Sequence, residues 1–314
     1  MKNKIFKIII VGLGNIAVGY DCNGPESQIA THAKACMAHP RCDIEAGVDP
    51  DPERRERFTQ FTGKPAYERL DHLAGIADAN AFIIATPTPV RMDPVMACSV
   101  YHPDFILLEK PVAMNWPEAL AMARRSKEKK IPIFVNYFRN YLSSVRSVFE
   151  TMHGHGFGRL MGGSCSYSRG IFNNASHMIA LLLHYYGIPD RVQRVGEKTA
   201  SEPWGDVAAP FVVYFGDAPI YFYSSMSGES AGDGALYFEA GKAAFKNYFE
   251  TVELWGVEQG PVSIGQPDYA AYQYEALDQM IQCVDRGGET NFHEAMETLR
   301  VCLCVKDDGA SIEA

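Results

Sequence analysis

The sequence predicts an α/β chain in two parts: an N-terminal doubly wound parallel sheet over residues 1–125, and a C-terminal α/β domain over residues 126–314 with a large open, mostly antiparallel sheet. Three observations predict it. A β-branched run from Ile5 to Val11 passes directly into Gly12-Leu13-Gly14-Asn15-Ile16-Ala17. Short apolar runs then alternate with helical patterns as far as residue 125, the mark of βαβ units. Later, the stretches from Val207 to Tyr223 and from Ala235 to Gly256 alternate apolar with other residues, as strands do when one face of their sheet lies on helices.

The first strand is apolar without interruption, as a strand buried on both faces should be. The G-x-G-x-x-A that follows suits a dinucleotide turn. Gly12 permits the tight turn, Gly14 lets the backbone approach a pyrophosphate, and the small Ala17 lets helix and strand pack closely. The helix that opens at Asn15 and Ile16 points its N–H groups at phosphate. A second strand, Ile44 to Val48, ends at Asp49. A carboxylate there accepts hydrogen bonds from a ribose diol and repels a 2′-phosphate, which favours NAD over NADP. Asp49 also opens a D-P-D-P turn, and Arg54 and Arg55 leave NADP open.

Asp49 lies 37 residues after Gly12, where roughly 20 is usual. The excess sits in residues 19–31, rich in turn formers, with the helix resuming near His32. It reads equally as a lid beside the cofactor or as a surface excursion. A further strand, Ala79 to Ala85, ends in Thr86-Pro87-Thr88-Pro89, and a helix covers Val95 to Tyr101. The next apolar run, Phe105 to Leu108, stops at Glu109-Lys110-Pro111. Proline has no N–H for a ladder, so the chain must turn. Glu109 and Lys110 are thereby delivered to a strand end, where ligands sit in open α/β sheets. Partly dried, Lys110 becomes a proton-transfer group; the blander alternative pairs it with Glu109 in solvent. Residues Trp116 to Lys130 form an amphipathic helix with a basic end, as the helix dipole favours.

Composition narrows the function classes. The chain carries 29 Lys+Arg against 38 Asp+Glu, a formal charge of −9 without a basic block, which argues against nucleic-acid or anionic-membrane partners. No stretch approaches 18 apolar residues, so no membrane span is expected. The N-terminal lysines and Ile8 to Val11 are too short an apolar run, with no small-residue cleavage site, for a secretory leader. The eight cysteines are scattered and show no zinc spacing, so no metal is expected. Cys36, Cys98, Cys283 and Cys302 fall in apolar patterns and are expected in the core as thiols, in a cytoplasmic setting.

G-L-G-N-I-A, the V-D strand end, A-T-P-T and E-K-P, in this order, resemble the glucose–fructose oxidoreductase / inositol dehydrogenase (Gfo/Idh/MocA) family over nearly the whole chain. The A-T-P and E-K-P pair is the most specific part. The resemblance implies a Rossmann domain followed by an α/β domain, and NAD(P)-dependent oxidation or reduction at a ring carbon of a sugar, amino sugar or nucleotide sugar. It places Thr86, Pro87, Glu109 and Lys110 at the cofactor with the glycine turn. Arg91 stands where many members carry a histidine.

The strand from Ile131 to Tyr137 leads into Phe138-Arg139-Asn140-Tyr141. The resemblance sets Asn136 near the nicotinamide, and Tyr137 and Arg139 toward substrate; Arg139 in a structural ion pair is the alternative. A helix, Leu142 to His153, and a strand, Met161 to Ser168, bring Arg169 to a stretch holding Asn173, Asn174 and His177. Asn173 and His177 are four apart, on one face of a helix start. A lone histidine beside an apolar helix is commonly a satisfied core residue. The spacing, however, matches the family's D-x-x-x-H, whose histidine exchanges the proton of the reacting hydroxyl. Here Asn173 replaces the aspartate and Ala180 occupies the position where another aspartate often follows. An amide holds a hydroxyl but cannot take its proton, so Lys110 and His177 share the acid–base work, or the activity differs. Asn173 and Asn174 would hold neighbouring hydroxyls, and Arg139 and Arg169 an anionic group.

Helices from Tyr269 to Arg286 and from His293 to Lys306 close the chain. Outward-facing aromatics of the second sheet are candidates for a homodimer or homotetramer contact, as the family commonly forms. Two other readings follow from the departures: a glycosidase or epimerase with retained NAD and transient oxidation, or a dinucleotide-binding sensor without catalysis.

Overall fold

Six strands, β1 (Phe6–Val11), β2 (Cys42–Val48), β3 (Ala66–Tyr67), β4 (Ala81–Ile84), β5 (Phe105–Leu108) and β6 (Ile133–Val135), lie parallel in the order β3-β2-β1-β4-β5-β6. This is the doubly wound order, whose strand sequence reverses between β1 and β4. The computed structural model describes residues 4–73, 79–201, 204–224 and 232–307. Every residue of β4 and β5 is buried, as their unbroken apolar sequences require. Phe6, Phe105 and Phe134 stack edge to face across β1, β5 and β6 at 5.3 and 6.3 Å.

Helices α1 (Tyr20–Cys22), α2 (His32–Ala38), α3 (Pro52–Thr62), α4 (Met92–Cys98) and α5 (Trp116–Lys129) connect these strands. Their ends are written in the sequence. Asp51 caps α3 by accepting the Glu53 N–H at 2.9 Å, Pro52 opens it, and Gly63 closes it at φ +70°. Asn115 caps α5 through the Glu118 N–H at 3.0 Å. The extra segment between the glycine turn and α2 is closed by one carboxylate. Buried Asp21 accepts from the backbone N–H of Ala30 at 3.1 Å and of Thr31 at 2.8 Å, and from the Thr31 hydroxyl at 2.7 Å.

Two compact units divide the chain: residues 1–138 with 270–293, and residues 139–269 with 294–314. The sequence places the division after residue 125. The first sheet extends further because β6 pairs with β5, Ile106 facing Ile133. Residues 270–293 return to the first unit as well. There α8 (Tyr272–Arg286) packs on α2, the Tyr272 hydroxyl donates to the Ala30 carbonyl at 2.9 Å, and Asn291 takes both backbone groups of Val135, at 2.9 and 2.7 Å.

The second unit holds α6 (Ser143–Gly154), α7 (Ser176–Tyr186), most of α9 (Phe292–Lys306) and ten strands: β7 (Leu160–Tyr167), β8 (Arg191–Arg194), β9 (Thr199–Ser201), β10 (Asp206–Ala208), β11 (Phe211–Phe215), β12 (Ala218–Ser224), β13 (Gly234–Phe238), β14 (Gly241–Lys246), β15 (Thr251–Gly256) and β16 (Gly260–Val262). Eight of them form one sheet, ordered β16-β15-β14-β13-β7-β12-β11-β8, antiparallel except for β7 beside β12. The alternation read from the sequence decides its faces. In β12, Ile220 and Phe222 are buried while Tyr221 and Tyr223 are exposed. Of the four cysteines expected in the core, Cys36, Cys98 and Cys302 are buried, but Cys283 is only half-buried, its thiol donating to the Glu289 carbonyl at 3.2 Å. It lies in the last turn of α8, where the helix face opens to the surface.

Candidate active site

The strand ends of the first sheet lie level. Val11 is in register with Val48 and with Ile84, Ile84 with Leu108, and Leu108 with Val135. Each strand therefore hands over at one edge: β1 to Gly12, β2 to Asp49, β4 to Ala85-Thr86-Pro87, β5 to Glu109-Lys110, and β6 to Asn136-Tyr137. This edge is the carboxyl end of a parallel sheet, where such folds bind ligands.

The glycine turn touches the A-T-P turn. Gly12 takes φ +87°, and a Cβ on it would stand 2.7 Å from the Thr86 backbone nitrogen and 2.8 Å from the Ala85 carbonyl carbon, so only glycine fits. A Cβ on Gly14 would meet nothing within 4 Å. The chain then makes a wide turn, with the Val18 and Gly19 N–H groups both reaching the Gly14 carbonyl, at 3.1 and 3.3 Å. Exposed Asn15 and half-buried Ile16 open this turn. The Thr86 hydroxyl oxygen is buried and has no hydrogen-bond partner among the described residues. Open space over Gly14, an orphaned Thr86 hydroxyl and a helix start together fit a dinucleotide pyrophosphate.

Asp49 is buried and accepts the Leu13 N–H at 2.8 Å and the Asp51 N–H at 2.9 Å. It thus braces the glycine turn as well as ending β2. Two arginines of α3 reach it, and a third holds the glycine turn. Arg54 lies 3.7 Å from its carboxylate, Arg55 donates to its carbonyl at 2.8 Å, and Arg57 donates to the Leu13 carbonyl at 2.9 Å.

Lys110 is half-buried, in a cis peptide with Pro111. The residue before it is held firmly. Buried Glu109 accepts from His32 Nε2 at 2.8 Å and from Asn136 Nδ2 at 2.7 Å, and Asn136 Nδ2 also donates to Gln273 Oε1 at 3.0 Å. Burial would raise the Glu109 pKa, but the hydrogen bond and charge of His32, the Asn136 amide and the Lys110 charge outweigh it and hold the carboxyl below its ordinary range. Arg91 is buried behind this turn. Its guanidinium donates to the Pro111 carbonyl and, at 2.8 Å, to the Thr86 carbonyl, tying the A-T-P and E-K-P turns together. Burial pulls its pKa down to about 10, against the charge of Glu109. Tyr137 is buried too.

The second unit carries Arg139, Arg169, Asn173, Asn174 and His177. Arg139 is buried; its Nε donates to the Tyr248 carbonyl at 3.1 Å, and its guanidinium lies over the rings of Tyr248 and Tyr269, at 5.1 and 5.6 Å. Arg169 is exposed at φ +55°. Asn174 donates to the Ser168 hydroxyl at 3.4 Å. Residues 171–175 make a second wide turn, closed onto the Gly170 carbonyl by the N–H groups of Asn174 and Ala175, and α7 continues it with half-buried His177 in its first turn. Such turns within helices recur at functional sites.

The sequence reading missed three supports here. Buried Asp206 accepts the N–H groups of Ile171 at 3.0 Å, Phe172 at 3.1 Å and Asn173 at 2.9 Å, capping the segment that carries Asn173 and His177. A Cβ on Gly170, at φ +87°, would run into that carboxyl. Burial pushes the Asp206 pKa up, against these backbone donors. Tyr248 adjoins two residues of its own unit, its ring 6.3 Å from that of His177 and 5.1 Å from the Arg139 guanidinium. It belongs to Asn247-Tyr248-Phe249, three successive non-glycine residues at positive φ, a strained arrangement of the kind that functional sites retain. Asp206 and His32 bond across 33 and 77 residues, so no local pattern marks them. Only the run of aromatics pointed at Tyr248.

Residues 6–137 match the family described as "Oxidoreductase family, NAD-binding Rossmann fold", Gfo/Idh/MocA. Over that segment the chain is similar to this family of NAD-binding oxidoreductases. A curated relative, an uncharacterized oxidoreductase from Streptococcus pneumoniae, is 23% identical over 103 residues, which is 33% of this chain and 28% of that protein. Among solved structures, an oxidoreductase from Agrobacterium radiobacter in complex with NAD+, L-tartaric acid and magnesium is 16% identical with a TM-score of 0.80, covering 98% of each chain. The WlbA dehydrogenase from Bordetella pertussis, in complex with NADH and UDP-GlcNAcA, is 16% identical with a TM-score of 0.79, covering 99% of this chain and 98% of its own. A 3-ketoreductase from Actinomadura kijaniata, in complex with NADP, is 14% identical with a TM-score of 0.78, covering 98% of each. At these identities the likeness is one of fold, and it extends through both units. Among the described residues no helix is long and apolar enough to cross a membrane.

Proposed function

We propose that the protein transfers a hydride between a nicotinamide cofactor and a hydroxyl-bearing ring carbon of a sugar, amino sugar or nucleotide sugar. The observation that carries the reading is the level row of strand ends, with Gly12 against Thr86 and Lys110 next in the chain to Glu109, which His32 and Asn136 hold. The UDP-GlcNAcA bound with NADH to the Bordetella pertussis WlbA dehydrogenase supports the substrate class. When bound, the nicotinamide supplies the hydride acceptor or donor. Gly14 leaves room for the pyrophosphate, and Asp49 holds the ribose diol while bracing the turn. Asn136, fixed by Glu109 and Gln273, lies beside the nicotinamide.

In this proposal Lys110 orients and polarises the reacting hydroxyl. His177 takes the hydroxyl proton on oxidation and returns it on reduction, a task suited to an imidazole near neutral pH. Asn173 and Asn174 hold neighbouring hydroxyls. Arg169, exposed, is the arginine left to meet an anionic group, whereas Arg139 positions Tyr248. Tyr137 serves by packing under the cleft. We also assign the subunit contact to the exposed face of the second sheet, where Tyr237, Lys242 and Trp255 form a cross-strand row beside Tyr221 and Tyr223. The eight free cysteines support a reducing, cytoplasmic setting.

The test is NAD and NADP reduction followed by absorbance across a panel of free and nucleotide-linked sugars. Turnover on at least one sugar is expected. Tight NAD binding without any sugar oxidised would favour the sensor reading. Retained cofactor that is not consumed while a glycosidic bond is cleaved or a centre inverted would favour the transient-oxidation one.

A further inference from the structure

The C-terminal end of α2, away from the Glu109 network, holds a side-chain cluster that the oxidoreductase chemistry does not use. Cys36 lies in α2 and Cys42 opens β2. Cys36 is fully buried; Cys42 is half-buried. The two thiols lie near enough to act on each other's protonation. His39, which ends α2, sets its Nδ1 3.5 Å from Cys42 Sγ. The Arg41 backbone N–H donates to the same Nδ1 at 3.1 Å. That nitrogen is therefore the acceptor, and the neutral ring carries its proton on Nε2. Nε2 faces Asp278 Oδ1 at 3.2 Å, on α8, and the Tyr274 ring packs on the imidazole at 5.4 Å.

A thiol, an imidazole nitrogen 3.5 Å away that the Arg41 N–H shares, and a carboxylate behind the imidazole resemble the arrangement that activates a nucleophile. Cys36, His39 and Arg41 face Cys42 from its own segment; Tyr274, Asp278 and Asp285 belong to the neighbouring α8. The hydrogen bond from Cys36, with the bond and charge of His39 and the charge of Arg41, draws the Cys42 pKa down to about 6 against its burial. Cys36 is pushed the other way, by its bond to Cys42 and by burial. One sulfur of the pair is thus favoured as thiolate and the other as thiol.

We propose that Cys42 is a reactive site for small peroxides, with Cys36 as the thiol that resolves it. In the first step the Cys42 thiolate attacks one peroxide oxygen and the O–O bond breaks. Sulfur loses two electrons and becomes a sulfenic acid. The departing hydroxide takes up a proton from solvent, to which the Cys42 proton was lost, and leaves as water. In the second step Cys36 sulfur attacks Cys42 sulfur, the S–O bond breaks, and the Cys36 proton leaves with the oxygen as water. The product is a Cys36–Cys42 disulfide. His39 and Asp278 are positioning residues for this step. The site is independent of the sugar chemistry, and its test needs no substrate.

Reduced full-length protein is exposed to limiting hydrogen peroxide near neutral pH, alkylated and read by peptide mass spectrometry. Cys22, Cys283 and Cys304 are also half-buried and serve as internal standards in the same molecule. The expected result is a Cys36–Cys42 link, lacking two hydrogens, forming at least about tenfold faster than any change at those three. In Cys36→Ser, dimedone should trap the sulfenic acid at Cys42. In His39→Gln, the pH profile of Cys42 alkylation should move to higher pH. Oxidation of Cys42 no faster than of the three standards in the unaltered chain overturns the proposal, whatever the variants do. A Cys42 that oxidises without ever linking to Cys36 overturns the resolving role.

Discussion

Lys110 and His177 come from segments far apart in sequence, and each is set by neighbours rather than by its own backbone. Glu109, next in the chain to Lys110, is fixed by His32 and Asn136, and His177 rides on a helix start capped by Asp206. Replacing either group with alanine removes a proton-transfer or polarising partner and leaves the glycine turn intact. Turnover of Lys110→Ala and His177→Ala should fall at least about 100-fold, with NAD affinity within about tenfold of the parent. Steady-state kinetics beside cofactor titration checks this, and normal turnover in both variants would remove them from the reaction. Asp49→Ala should let NADP compete with NAD, since the repelling carboxylate goes while Arg54, Arg55 and Arg57 stay. The same change frees the Leu13 N–H, so NAD affinity should weaken as well. An unchanged NAD-to-NADP preference in competition binding would end the ribose role of Asp49. Glu109 adds a pH dependence. Its carboxyl is held below the ordinary range, so its native pKa lies under its unfolded one, about 4.3. The stability it contributes is present above that unfolded value and is lost as pH falls through the native one. Melts taken between about pH 3 and 7 should show Glu109→Gln flatter than the parent at the acid end.

At the scale of elements, the helix that presents His177 depends on one glycine. Gly170 takes φ +87°, and any side chain there meets the Asp206 carboxyl that caps the wide turn. Gly170→Ala should destabilise the second unit by about 2 kcal/mol through backbone strain and the displaced cap. Denaturant unfolding measures that loss, and an undiminished midpoint would mean that the cap is dispensable. The elements themselves were largely legible. The strand from Phe105 to Leu108, the helix from Trp116 and the restart of a helix at His32 follow from period, proline and turn chemistry, all of which act over a few residues. Asp21 closes the extra segment across 9 and 10 residues, and Asp206 closes the helix start across 33 to 35, both beyond the reach of such local signals.

For the whole molecule, the exposed tyrosines and tryptophan of the second sheet are the clearest unpartnered surface. Tyr221, Tyr223 and Tyr237 are each about half exposed, at 50%, 48% and 52%. If this face joins subunits, Tyr237→Glu should shift sedimentation toward the monomer while the secondary structure stays unchanged. An assembly insensitive to that charge would place the contact elsewhere. The sequence divides the chain after residue 125, whereas the compact units are residues 1–138 with 270–293 and 139–269 with 294–314. A sixth parallel strand and the return of residues 270–293 come from pairing and packing that composition does not announce.

The sequence by itself determined the doubly wound sheet, the dinucleotide turn, the placement of Glu109 and Lys110 at a strand end and the alternating faces of the second sheet. Glycine conformations, proline breaks and residue periodicity are local, so they can be read along the chain. Only the tertiary structure decided what surrounds those groups. His32 reaches Glu109 across 77 residues, Asn136 reaches Gln273 across 137, and His39 reaches Asp278 across 239. A buried polar group takes whatever partner the fold brings within hydrogen-bond distance, and that partner's position in the sequence is set by topology alone.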